Sequence, residues 1–197
     1  MTVSDLTGRA LVQQRFALTR DVTAAFFDLQ ADRLSRACLE MAERFQRGGR
    51  LFVFGDGAEA SDATHVAVEF MHPVLVGKRA LPALALAPDA QGWSGRERAP
   101  AHDGFARLLE TLGRECDIAL GLSSDQGSMA VRRGLECASE IGMLTLHLAG
   151  GSPANTPAAR FTFTVLCDDA MAVQEVHETA YHVLWELVHV FFDHRAT

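Results

Sequence analysis

Four side chains in this sequence have the types and spacing for acid–base or metal chemistry. His65 and Glu69 lie four residues apart, so on a helix they share one face. Gln174 and His182 lie eight apart, which is about 80° around a helix. Glu178 sits between them. Two imidazoles with a carboxylate and an amide oxygen can hold a divalent ion such as zinc. The same His and Glu can instead move protons at a carbonyl substrate. They can also simply hydrogen-bond as an i,i+4 pair, and the residues alone leave all three open.

Two turns come next. GDGAEASD spans 55–62 and SSDQGS spans 123–128. Each follows an apolar run and leads into a helical pattern. Free N–H groups and the helix dipole favour an anion at such a place. The hydroxyls of Ser123, Ser124 and Ser128 add donors. Glycine and serine are equally ordinary as turn formers and caps. The pairs Lys78–Arg79 and Arg132–Arg133 read as solvated helix faces.

The elements that must position these residues follow from periodicity. Leu11, Phe16 and Leu18 through Phe26, Phe27 and Leu29 predict one leading helix. Leu34, Ala37, Cys38, Met41, Ala42 and Phe45 predict a second, stopped by Gly48 and Gly49. LFVFG (51–55) reads as a short buried strand. Further strands are expected at 83–87, 117–123, 143–149 and 161–166. Helices are expected at 60–70, with Ser61 or Asp62 near its start, and at 105–112, 129–141 and 172–193. The segment 87–104 is rich in Gly, Pro and charge. It reads as a loop long enough to act as a lid. Strands alternating with helices predict an α/β fold in three layers, a doubly wound parallel five-stranded sheet. It carries two N-terminal helices and a long C-terminal helix. In such sheets ligands sit at the carboxyl ends of strands near a switch point, which directs attention to the turns after 51–55 and 117–123. One domain is expected over 1–197, with a helical extension at 1–48 and an α/β core at 49–197.

Composition narrows the classes. The 197 residues are 48% apolar and 22% charged, which excludes disordered and fibrous chains. The net charge of −7 argues against a dedicated nucleic-acid binder. No apolar run is long enough to span a membrane, and the first residues lack the order of a signal peptide. Cys38, Cys116, Cys137 and Cys167 form no C-x-x-C pair and read as free thiols in a reducing cytoplasm.

The whole order resembles the sugar isomerase (SIS) domain, and within it the phosphoheptose isomerases. The stretches that carry the resemblance are GDGAEASDATHVAVEF, LPALAL, GRECDIALGLSSDQGSMAVRRGLECASEIGMLTLHLAGG and VQEVHETAYHVLWELV. Those enzymes convert sedoheptulose 7-phosphate to a heptose 7-phosphate. The resemblance implies a flavodoxin-like sheet, a cytoplasmic protein and a homotetramer with sites at subunit boundaries. It implies a metal, typically zinc, held by His65, Glu69, Gln174 and His182. It also implies Glu69 as the base of an enediol mechanism and His182 as the acid. Gly55, Asp56, Gly57, Glu59, Ser123, Ser124, Asp125, Ser128 and Gln174 would line the ligand.

The departures point elsewhere. The family's first turn usually reads GNGGS; here Glu59 stands for a substrate-contacting serine. Its phosphate cradle reads STSGNS; here Asp125 stands for a phosphate-binding serine. The arginine that often follows the Glu is replaced by the stretch Met71, His72 and Pro73, and an aspartate before the Gln appears as Met171. The metal and acid–base half is retained while the phosphate and sugar half is rewritten. The expectation is a diverged isomerase binding a sugar phosphate or related carbohydrate derivative. The alternative is a non-catalytic SIS module of the initiator-binding-regulator type.

Overall fold

The computed structural model describes residues 3–73, 77–87, 101–124, 128–151 and 159–194. Its elements run α1 (Val3–Gln46), β1 (Leu51–Gly55), α2 (Glu59–Met71), β2 (Ala83–Ala85), a 3-10 turn (Ala101–Asp103) and α3 (Gly104–Leu112). They continue with β3 (Ile118–Ser123), α4 (Met129–Ile141), β4 (Leu144–Gly150), β5 (Phe161–Val165) and α5 (Ala170–His194). The five strands are parallel, in the order β2-β1-β3-β4-β5. The chain passes outward from β1 to β2, then returns across β1 to β3, so the switch point lies between β1 and β3.

Two apolar layers cover the sheet. Leu51, Val53, Leu120, Leu122, Leu146 and Phe163 face α1, α2 and α5. Phe52, Phe54 and Ala119 face α3 and α4. Alternate residues of one strand thus serve opposite layers, as the pleat requires. Strands buried on both faces read as continuous apolar runs, which is why β1 and β3 stand out in the sequence.

The two expected leading helices are one continuous 44-residue helix. Gln30, Ala31, Asp32 and Arg33, between the two apolar patterns, include no Gly or Pro and are compatible with helix. Gln30 is itself buried. The helix ends before Gly48 and Gly49, as expected. From Phe26 onward its apolar side joins the core with Leu34, Cys38 and Met41. Its earlier half leaves Leu11, Val12 and Phe16 exposed. Arg15 and Thr19 tie that half to Asp169 and Glu175, at the start of α5.

At the amino end of the sheet, Asp117 is fully buried. Its Oδ1 accepts from Arg50 N at 2.8 Å, and its Oδ2 from Arg50 Nη2 at 2.8 Å and Arg114 N at 3.0 Å. This clamp fixes where β1 and β3 enter the sheet. All four cysteines are free. Burial pushes the Cys38 thiol up to about 12 and the Cys137 thiol up to about 11, so neither is a ready thiolate. No helix among the described residues is long and apolar enough to cross a membrane.

Candidate functional site

The site is built at the carboxyl ends of β1 and β3. β1 ends at Gly55 because α2 crosses directly over it. A Cβ there would lie 2.6 Å from Glu59 Cβ and 2.9 Å from Glu59 O. Gly57 then turns the chain with φ of +61°, a left-handed conformation that glycine adopts without cost. α2 starts at Glu59, with Ala58 before it and no side-chain cap. Ser61 and Asp62 fall inside the first turn.

Across the crevice, Ser128 caps α4: its Oγ accepts from Val131 N at 3.1 Å. The same hydroxyl donates to Asp56 Oδ2. Ser124 N donates to Glu59 Oε1 at 3.0 Å. Glu59 is only 6% exposed. Ser123 Oγ lies 2.8 Å from His147 Nε2, and both are buried. His147 is held well below the usual imidazole range, at about 4, by burial first and by the neighbouring His177 second. His177 is also lowered to about 4 by burial. Asp125 and the expected lid at 88–100 lie outside the described residues.

α2 and α5 supply the titratable groups. His65 Nε2 lies 3.3 Å from Glu69 Oε1, and His65 Nδ1 lies 3.1 Å from Tyr181 Oη. A carboxylate only accepts. In the neutral ring Nε2 therefore carries the proton, and Nδ1 accepts from the tyrosine hydroxyl. The His182 ring lies 5.3 Å from that of His65 and 5.0 Å from that of Tyr181, both edge-on. Burial raises the Tyr181 hydroxyl above its usual range, helped by the charges of Asp62, Glu178 and Glu69. It therefore stays a neutral donor.

His65, Glu178 and His182 each offer a ligand atom within 4.8 Å of the others. Two imidazoles and a carboxylate are a donor set that suits zinc. Glu69 adjoins it through His65. Gln174 stands apart: its Nε2 donates to Asp62 Oδ2 at 3.0 Å. Burial raises the Asp62 carboxyl, and the Gln174 hydrogen bond opposes that rise. The structure thus gathers His65, Glu69 and His182, brings Glu178 to them, and holds Gln174 beside them on Asp62.

The sequence matches a known family. The profile of the SIS domain matches residues 16–150. The chain belongs to the SIS domain family. The phosphoheptose isomerase of Desulfovibrio desulfuricans is 38% identical to this SIS domain over 168 residues, 82% of this chain and 78% of that one. The phosphoheptose isomerase of Aquifex aeolicus is 31% identical over 179 residues, 90% of this chain and 94% of that one. The solved phosphoheptose isomerases of Neisseria gonorrhoeae and Francisella tularensis share its fold with TM-scores of 0.80 and 0.81, at 21% and 22% identity. They cover 91% and 96% of this chain, and 97% and 99% of their own. This SIS domain is phosphoheptose-isomerase-like in sequence and fold.

Asp62, Tyr181 and His147 went unrecognised in the sequence. Asp62 precedes His65 by three, a same-face spacing, and Tyr181 adjoins His182; these were the available signals. His147 lies inside an apolar strand, and only the fold brings it to Ser123. The aromatic residues of the helix ends divide. Phe26 and Trp185 fill the core, Phe27, Phe191 and Phe192 pack against it, and Phe16 is exposed. Arg132 and Arg133 pair with Glu136 and Asp103, as solvated faces do.

Proposed function

We propose that this SIS domain is an aldose–ketose isomerase acting on a sugar phosphate or related carbohydrate derivative. The observation that supports it most is the convergence of His65, Glu69 and His182 from the two helices α2 and α5. Glu69 takes the proton from the carbon next to the substrate carbonyl. His182 gives a proton to the carbonyl oxygen, leaving an enediol. Return of the Glu69 proton to the neighbouring carbon, with loss of the other hydroxyl proton to His182, completes the isomerisation. His65 Nε2, donating to Glu69, orients the carboxylate, and its Nδ1 would exchange the Tyr181 hydrogen bond for an ion held there.

His65 and His182, with Glu178 and Glu69 as carboxylate donors and Gln174 beside them, would hold zinc or another divalent ion. Held by these residues, an ion would supply Lewis-acid polarisation of the carbonyl. Gly55, Asp56, Gly57, Glu59, Ser123, Ser124, Asp125 and Ser128 would line the sugar. The chain 1–197 is read as one SIS domain in the cytoplasm, with 1–48 leading the α/β core at 49–197. A homo-oligomer, a tetramer by resemblance, is supported by the exposed Leu11, Val12 and Phe16 on α1. Light scattering tests it, and a monomer overturns it.

The deciding experiment is metal content on untagged protein together with an isomerisation assay. The expected result is about one divalent ion per subunit, lost in His65→Ala and His182→Ala, with turnover lost alongside. No ion and no turnover on adding zinc would replace the enzyme with a binding module.

A further inference from the structure

The two nitrogens of His65 meet different helices. Nε2 lies 3.3 Å from Glu69 Oε1, on the same helix α2. Nδ1 lies 3.1 Å from the hydroxyl of Tyr181, on α5. Tyr181 adjoins His182 in the chain, and their rings lie 5.0 Å apart. Through Tyr181, α5 therefore meets the ring on its Nδ1 side, while Glu69 fills the Nε2 side.

Glu178 and His182 lie four residues apart on α5, so they share one face. One donor atom each from Glu178, His182 and His65 all lie within 4.8 Å of one another. Among the described residues, the side chains of Glu178 and His182 make no hydrogen bond or ion pair. Both are exposed. Three groups with lone pairs thus converge without a proton shared between Glu178 and either imidazole.

A neutral imidazole has one lone pair and one N–H. It takes a cation on the first and gives the second to a partner. A carboxylate accepting that N–H fixes the tautomer and makes the ring a better ligand. Glu69 stands in this relation to His65. An ion taken on Nδ1 leaves Glu69 on the far nitrogen, and the carboxylate offered beside the two imidazoles is that of Glu178. A carboxylate bound to a divalent ion is a poorer base. Glu69, with Oε1 on His65, keeps its other oxygen for a substrate proton.

We propose that Glu178 is the carboxylate ligand of this site, with His65 and His182, and that Glu69 supports His65 from outside the ion's own ligands. This rests on the metal reading above and divides its two carboxylates between separate tasks. The competing assignment places Glu69 among the ligands and leaves Glu178 to solvent.

The test measures zinc affinity of the full chain by competition with a chromophoric chelator, in wild type, Glu178→Gln and Glu69→Gln. The visible spectrum of the cobalt-loaded proteins is the second readout. Glu178 is exposed, so its substitution leaves the fold intact, and a melt of each variant checks this. Glu178→Gln is expected to weaken zinc by about a hundredfold or more and to change the cobalt spectrum. Glu69→Gln keeps an oxygen that accepts from His65 Nε2, so it is expected to weaken zinc by about tenfold, as an outer partner does, with the cobalt bands in place. Zinc lost in Glu69→Gln but kept in Glu178→Gln overturns the inference and leaves the metal reading standing. A wild type that binds no zinc overturns both. The expected affinities without isomerisation of any sugar phosphate overturn the isomerase reading alone.

Discussion

Acid should weaken this protein through His147, and replacing that residue should remove part of the effect. The ring is buried on β4 beside Ser123, and burial holds it at about 4 in the folded chain. In the unfolded chain it titrates at about 6.5. Its folded value is depressed, so the unfolded state binds the proton first. Stability is therefore fully present above the unfolded value and declines as pH falls through the window between the two. Linkage over these values gives a loss of about 1.8 kcal/mol from this one residue between pH 7 and pH 5. With a urea slope of about 2 kcal/mol per molar, that is a midpoint shift of about 0.9 M. The assay is urea unfolding of wild type and His147→Gln at both pH values. The difference between their pH shifts reports His147 together with its coupling to the neighbouring His177. Equal pH shifts in wild type and variant would refute the reasoning.

Asp117→Ala should cost about 3 kcal/mol, because it strands Arg50 N and Arg114 N and breaks the ion pair to a buried carboxylate; chemical denaturation reads this directly. Gly55→Ala should lower the melting temperature by about 6 °C, from about 2 kcal/mol of overpacking against Glu59, as scanning calorimetry would show. Glu69→Gln should reduce isomerisation by about a hundredfold or more while leaving the denaturation midpoint near that of wild type, since among the described residues Glu69 is bonded to the partly exposed His65 alone. A kinetic assay beside a melt checks both halves.

Most of the architecture was readable from periodicity. β1 and β3 are buried on both faces, and such strands leave unbroken apolar runs. α4 carries both a serine at its start and a glycine at its end. The leading helix was harder. A polar interval can mark a loop, or a helix turning its solvent face, and at 30–33 the absence of Gly and Pro was the only hint. In the site, His65 with Glu69 and Gln174 with His182 were visible because helix spacing alone places each pair on nearby faces. Their polar partners were not visible. Gln174 on Asp62, Tyr181 on His65, and Glu59 on Ser124 each join residues from separate elements. Such partners are chosen by tertiary geometry rather than by local pattern.

The Arg50–Asp117 clamp sits at one end of β3, and Ser123 and Ser124 sit at the other. A strand of that length separates them by about 20 Å. Energetic effects at that separation add rather than couple. The entrance of the sheet therefore acts as a reserve of stability that the crevice does not draw upon. Loops at the crevice can exchange serine for carboxylate, or back again, at a cost set locally. The anchoring of β1 and β3 survives such exchanges, so this fold can explore new ligands without first becoming more stable.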